Sequence, residues 1–150
     1  MYNLAGRCNR LAITTRDNMD WLGWYNNLAK PTWTPSPATI SLIWKILYPI
    51  IAVSFGYVFV QALRRRMPAR VAIPFAINLA ANLSFTPILF GMRNLSLASV
   101  DILIVLTTIV WMMISVWPHA RWVALAQVPY LAWVATATVL QLSITAMNAR

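Results

Sequence analysis

The sequence predicts an all-α integral membrane protein, a bundle of four transmembrane helices preceded by an extended lid rich in proline and tryptophan. Of its 150 residues 60% are hydrophobic and 10% are charged, and the mean hydropathy is +0.64. A soluble domain has about 25% charged residues. The apolar residues lie in four runs, each long enough to cross a bilayer as a helix, which needs roughly 20 residues. The eight tryptophans agree with this class, because indole rings favour the membrane–water interface.

Residues 1–23 are predicted to be a polar tail or an interfacial segment. Five charged side chains interrupt every apolar run there: Arg7, Arg10, Arg16, Asp17 and Asp20. No stretch is long enough for a membrane span or for the apolar part of a secretory signal. Cys8 is the only cysteine, so no disulfide framework or paired-cysteine metal site is expected. The membrane domain is expected to occupy residues 24–150.

The lid is predicted at residues 24–38. Pro31, Pro35 and Pro37 lie within seven residues, and proline is excluded from helix interiors because it lacks an N–H and its ring clashes with the preceding turn. Aromatic residues lie on both sides of this stiff segment, and an apolar span follows it directly. Such an arrangement indicates a cover over a pocket that opens at the membrane surface.

Four spans follow the lid, at residues 39–63, 71–90, 95–117 and 122–147. Lys45 lies one or two turns into the first span, where its ammonium can reach the interface. Asn78 and Asn82 are four residues apart and share one face of the second span. Asp101 lies near the start of the third span. The small residues of the second span, with its two asparagines, make it the span least suited to face lipid.

The net charge of +9 does not indicate nucleic acid, because no basic patch is interleaved with aromatic residues. Most bases lie between or before the apolar spans, where they favour anionic lipid head groups and determine orientation. The turn at 64–70 is the most basic, since it holds Arg64, Arg65, Arg66 and Arg70. We therefore predict that this turn is cytoplasmic and that both termini lie on the opposite side.

The lid and the first span together contain a specific motif. Ten residues within 25 carry it: Trp24, Tyr25, Leu28, Lys30, Pro31, Trp33, Pro35, Trp44, Leu47 and Tyr48. This pattern resembles the signature of the TspO/MBR family, the translocator protein and tryptophan-rich sensory proteins. Residues 82–91 are similar to a second family motif, with Phe85 where the family has tryptophan. Residues 128–133, which include Tyr130 and Trp133, are similar to a third.

The family has five transmembrane helices, whereas this chain has four candidate spans, and the first family helix is the one without a counterpart. The fold is then either a four-helix remnant or a bundle in which a partner supplies the missing wall. Because the second span is poorly suited to face lipid, we predict that an additional helix from a partner packs against it. The partner would be a second copy of the chain or another membrane subunit.

The resemblance implies a membrane binding protein for a tetrapyrrole, such as a porphyrin or haem, or for another flat apolar ligand. The ligand-binding residues that it implies are Trp24, Tyr25, Trp33, Pro35, Trp44, Tyr48, Asn82, Phe85, Phe90, Tyr130 and Trp133. The resemblance also makes Trp44 and Trp133 candidate catalytic residues, because family tryptophans have been implicated in light-driven porphyrin degradation. The alternatives are that the tryptophans are interface anchors and that the asparagines are structural.

A second function is compatible with the same sequence, a structural or assembly subunit of a larger membrane complex, including a pigment–protein complex. An enzyme is not favoured from the residues themselves. The chain has one histidine and three acids, and none of them is close in sequence to a reactive partner. His119 follows Pro118 in a turn and is expected to be solvated, so we predict no metal site.

Overall fold

The computed structural model describes residues 23–149, and in this part of the chain every regular element is helical. The elements are α1 (Pro37–Leu63), α2 (Ala69–Thr86), a π-helical segment (Pro87–Gly91), α3 (Leu95–Val116), α4 (Arg121–Ala126) and α5 (Val128–Asn148). Four stretches are long and apolar enough to cross a membrane: α1, α2 with the π-helical segment, α3, and α4 with α5. The predicted all-α class with four spans is confirmed. The expectations for the N-terminal tail and for Cys8 concern residues outside the described range.

The lid has two parts. Residues 23–27 form a short helical turn, and the segment from residue 28 to Ser36 is irregular or extended, with a turn at 32–33. The first part can be helical because the prolines begin only at Pro31. Helix α1 then starts at a favourable N-cap, where the Ser36 hydroxyl oxygen accepts a hydrogen bond of 3.2 Å from the Thr39 N–H. Pro37 occupies the first helical position, where its missing N–H costs nothing.

Two prolines interrupt the regular hydrogen bonding of later spans. Pro87 begins the π-helical segment, whose wider turn includes a bond of 3.0 Å from the Met92 N–H to the Pro87 carbonyl. Pro129 lies in the first turn of α5, and the fourth predicted span is divided just before it, at Gln127. Pro129 explains the division, because inside a continuous helix its ring would clash with the preceding turn and its missing N–H would leave one backbone hydrogen bond unformed.

Helix α3 is the centre of the bundle and packs closely against α2 and α5. Its inner face contributes Val105, Ile109, Met112 and Val116, each almost completely buried. Helix α1 is the peripheral helix. It contacts α2 through the edge-to-face pair Phe55–Phe75, with ring centroids 4.9 Å apart, and it packs only loosely against α4.

The lid and the end of α5 lie at the same end of the bundle, because Asn148 forms hydrogen bonds with Ala29. The basic turn at 64–70 follows the far end of α1. That helix has 27 residues, so the turn lies about 40 Å from the end of the lid, at 1.5 Å of helix length per residue. The lid and the strongest cluster of positive charge are therefore at opposite ends of the membrane-spanning bundle.

Candidate ligand-binding site

A cavity of about 310 Å³ lies beneath the lid. The lid, α1, α2, the π-helical segment, α3 and α5 all contribute to its wall. Its lining residues are Tyr25, Pro35, Ile40, Trp44, Tyr48, Asn82, Phe85, Thr86, Leu89, Phe90, Ile102, Val105, Trp133, Val134, Thr136, Ala137, Leu140, Gln141 and Ile144. The volume is at the lower end of the range for small-molecule pockets, roughly 300–1,000 Å³, and a mainly apolar wall with few polar groups is usual for such pockets.

The structure brings together most of the residues that the sequence motifs suggested. The predicted residues in the wall are Tyr25, Pro35, Trp44, Tyr48, Asn82, Phe85, Phe90 and Trp133. They come from the lid and from three separate spans. Residues up to 108 positions apart in the sequence, such as Tyr25 and Trp133, therefore share one cavity.

Three of the suggested residues do not line the cavity. Trp33 lies in the lid turn with 49% of its surface exposed. Trp24 is half-buried on the helical turn at 23–27, and its neighbour Tyr25 takes the inward position, because successive residues of a helix point about 100° apart. Tyr130 lies behind the wall with 1% of its surface exposed.

Helix α1 presents a stacked aromatic pair to the cavity. The rings of Trp44 and Tyr48 have centroids 5.0 Å apart and planes inclined by 27°. They meet because residues four apart lie on one face of a helix. The ring of Tyr130 contacts Trp44 edge to face, with centroids 6.3 Å apart. Tyr48 lines the cavity and is also 54% exposed, so it marks a place where the cavity is open to the surroundings of the bundle.

The lid covers the cavity through Tyr25. Its ring meets Phe90 edge to face, with centroids 5.6 Å apart. The ammonium of Lys30 lies 4.2 Å from the centre of the Tyr25 ring and donates a hydrogen bond of 2.8 Å to the Tyr25 carbonyl. Burial raises the pKa of the Tyr25 phenol above its ordinary value, so this group is neutral at physiological pH. The roof of the cavity is therefore an uncharged aromatic ring held by a local cation.

A chain of hydrogen bonds lies behind the wall and joins three helices. The Asn82 side-chain amide donates to the Tyr130 hydroxyl at 2.8 Å, and that hydroxyl donates to the side-chain Oδ1 atom of Asn78 at 3.0 Å. The Asn78 amide donates to the Val105 carbonyl and to the Thr108 hydroxyl, at 3.0 and 2.9 Å. Both asparagines therefore have partners inside the bundle. The sequence suggested that these asparagines would need a partner helix beside α2, but residues of the bundle itself already pair with them.

The sequence motifs missed much of the wall that α5 provides. Trp133, Ala137, Leu140 and Ile144 recur at spacings of four, three and four, and all line the cavity. Once Trp133 is placed inward, this spacing identifies the remaining residues of the same helical face. Gln141 adds a polar group to that face, with its amide 3.2 Å from the Thr145 hydroxyl. The lining residues from α3 had no signal in the sequence.

Asp101 and His119 lie apart from the cavity wall. Asp101 is 8% exposed, and its Oδ2 atom has no hydrogen-bond partner within the described range. His119 is exposed in the turn after α3. Residues 23–149 contain no group of three or more histidine, cysteine, aspartate or glutamate side chains that could hold a metal ion.

Four membrane-spanning helices around an apolar, aromatic cavity beneath a lid define an integral membrane protein built around an internal pocket. A model of the TspO/MBR family matches residues 4–147. The chain belongs to the TspO/MBR family. The match begins well before the lid, so it also includes residues 4–22, which belong to none of the three motifs. The expectation that the first family helix is missing concerns these residues, and they lie outside the described range.

Individual relatives agree with this assignment. The chain is 35% identical over 125 residues to the uncharacterised membrane protein YtaB of Bacillus subtilis, a match over 83% of this chain and 80% of the relative. It is 37% identical over 93 residues to the tryptophan-rich protein TspO of Bacillus cereus, over 61% and 60% of the two chains. It is 33% identical over 115 residues to the human translocator protein, over 67% of each chain.

Proposed function

We propose that this protein binds a flat, largely apolar ligand of the tetrapyrrole type, such as a porphyrin or haem, in the cavity beneath the lid. The observation that carries the proposal is that Trp44, Tyr48, Phe85, Phe90 and Trp133 share one cavity wall. Aromatic faces stack on flat conjugated rings. The resemblance to the TspO/MBR family implies the same class of ligand.

The size of the cavity adds a condition to this proposal. A volume of about 310 Å³ suits a small drug-sized molecule, and a tetrapyrrole macrocycle is larger. Such a ligand has to project past the open edge at Tyr48 or displace the lid. The polar groups of the wall (Asn82, Thr86, Thr136 and Gln141) can orient the few polar atoms of a ligand of this class.

A titration with a porphyrin tests the proposal, with binding followed by the absorbance of the porphyrin in detergent micelles. Trp133→Ala should weaken binding about tenfold or more, because a lost stacking ring costs roughly 1–3 kcal/mol in the comparable case of nucleobases. Trp117→Ala is the matched control. Trp117 is 47% exposed and lies outside the cavity wall, so its loss should leave affinity unchanged. Equal small effects at both positions would mean that the porphyrin only partitions into detergent.

Light-dependent porphyrin breakdown in the presence of dissolved oxygen is a further hypothesis, in which Trp44 or Trp133 supplies an electron to the excited pigment. This transfer leaves an indole radical cation and a reduced porphyrin, and oxygen is the reactant that then oxidises the ring. Both side chains line the cavity. The same variants test it: illumination of the porphyrin-loaded wild type should bleach its absorbance, and Trp44→Phe or Trp133→Phe should slow the bleaching. Bleaching at the same rate in both variants would contradict a role for these indoles.

The alternative function is a structural or assembly subunit of a larger membrane complex. It is favoured by the exposure of α1, whose buried residues are only Leu47, Ser54, Phe55 and Val58. Much of this helix is available to lipid or to a helix of a partner, either a second copy or another subunit. Native mass spectrometry after purification in mild detergent distinguishes the two functions. A stoichiometric set of other subunits favours assembly, whereas a bound pigment on the isolated chain favours binding.

A further inference from the structure

Asn148, the last residue of α5, pairs with the lid backbone through both polar atoms of its side chain. The Ala29 N–H donates to Oδ1 of Asn148 at 3.1 Å, and Nδ2 of Asn148 donates to the Ala29 carbonyl at 2.9 Å. The same Nδ2 also donates to the Ile144 carbonyl at 2.8 Å, which fixes the side chain on its own helix. One amide thus satisfies both backbone groups of one lid residue, as a neighbouring strand would.

Ala29 lies between the two lid residues that line the cavity. Tyr25 is four residues before it and Pro35 is six residues after it. The other hydrogen bonds of the lid's described residues are local: Leu28 and Lys30 with the Tyr25 carbonyl, Thr34 with the Pro31 carbonyl, and Ser36 with Thr39. The two bonds to Asn148 therefore join the lid to a residue 119 positions away and hold the backbone on which Tyr25 and Pro35 depend.

We infer that Asn148 is a positioning residue that latches the lid over the cavity, and that breaking its two hydrogen bonds to Ala29 is the step that opens the cavity to ligand. The effect on ligand rests on the proposed binding function. Both bonds are exposed, so water competes for them and the latch is reversible. An amide is needed, because it has a donor and an acceptor side by side. Aspartate has no donor for the Ala29 carbonyl, and alanine has neither group.

Hydrogen exchange of the Ala29 amide, measured by NMR on the ligand-free protein in micelles, tests the latch without any ligand. Asn148→Ala should accelerate exchange at Ala29 about tenfold. It removes two hydrogen bonds, and the net free energy of each is modest because water competes for the same groups. Asn148→Asp should have a smaller effect, because its carboxylate can still accept from the Ala29 N–H. The matched control is Asn27→Ala, which removes an exposed lid asparagine that forms no hydrogen bond to α5. Unchanged exchange in Asn148→Ala would overturn the latch.

The dissociation rate of a bound porphyrin tests the link between the latch and the cavity. Asn148→Ala should increase this rate by about the same factor as the exchange at Ala29, while Asn27→Ala should not. Faster exchange with an unchanged dissociation rate would overturn the gating role. Trp133→Ala separates this inference from the proposed function, because it should weaken porphyrin binding without changing exchange at Ala29. If the wild type binds no porphyrin, the proposed function fails and the gating of that ligand fails with it, whereas the exchange measurement still decides whether the latch exists.

Discussion

Asn82 and Tyr130 are joined by a hydrogen bond of 2.8 Å between the asparagine amide and the phenol oxygen, although they lie on different spans and are 48 residues apart. The bond couples a residue of the cavity wall to the buried interior. The phenol is also a donor to Asn78. One hydroxyl group therefore connects the polar part of the cavity to the contact between α2 and α3.

Tyr130→Phe should destabilise the protein by about 1–3 kcal/mol, because it leaves the Asn82 side-chain amide and the Oδ1 atom of Asn78 without this partner. Thermal unfolding in detergent measures the effect. Tyr57→Phe is the control, since the Tyr57 ring contacts Trp122 edge to face and its hydroxyl is not part of the network. An equal change in both variants would show that the network adds no stability.

Replacing the buried Gln127 should have the opposite effect on stability. Its side chain is fully buried, its amide donates to the Ser54 hydroxyl at 2.8 Å, and its Oε1 atom has no hydrogen-bond partner within residues 23–149. Gln127→Met has a similar volume and removes the unpaired oxygen, while Ser54 keeps its own bond of 2.6 Å to the Ile50 carbonyl. The midpoint of thermal unfolding should therefore stay unchanged or rise.

The matched variant is Ser54→Ala, which leaves the Gln127 amide with only a long contact of 3.4 Å to the Val123 carbonyl. This change should cost about 1 kcal/mol or more. In the double variant, Ser54→Ala with Gln127→Met, most of that cost should disappear. A Gln127→Met protein that is as destabilised as Ser54→Ala would contradict this account of the buried amide.

Labelling of Cys8 tests the expected position of residues 1–23. Five charged side chains would each cost about 2.5–3.5 kcal/mol at the centre of a bilayer, so we expect this segment to remain outside the hydrocarbon. A membrane-impermeant maleimide should label Cys8 from the non-cytoplasmic side of intact cells. Protection from both sides, before and after unfolding of the lid, would contradict the prediction and place the segment in lipid.

The control for orientation is Arg66→Cys in a Cys8→Ser background, which moves the single thiol to the basic turn. This position should react only after the membrane is permeabilised, because positively charged turns remain cytoplasmic. A reversed pattern, with Arg66→Cys labelled from outside and Cys8 from inside, would invert the proposed topology.

The sequence by itself determined the membrane class and the four spans, and it predicted a lid before the first of them. These follow from local properties: the length of the apolar runs, the cluster at Pro31, Pro35 and Pro37, and the charges that separate the spans. The motif also identified many residues of the cavity wall, because a stacked pair such as Trp44 and Tyr48 depends only on helical spacing.

The tertiary structure decided the rest. Which side of each span faces the cavity depends on how the helices rotate and pack, so Tyr130 lies behind the wall and Val105 of α3 lines it without any signal in the sequence. The path of the lid across the bundle leaves Trp33 outside the wall. The pairing of Asn148 with Ala29 likewise depends on the end of α5 meeting the lid. Contacts between residues more than a hundred positions apart form only when the packed bundle brings the two segments together. Local sequence propensities depend on neighbouring residues and therefore do not predict such contacts.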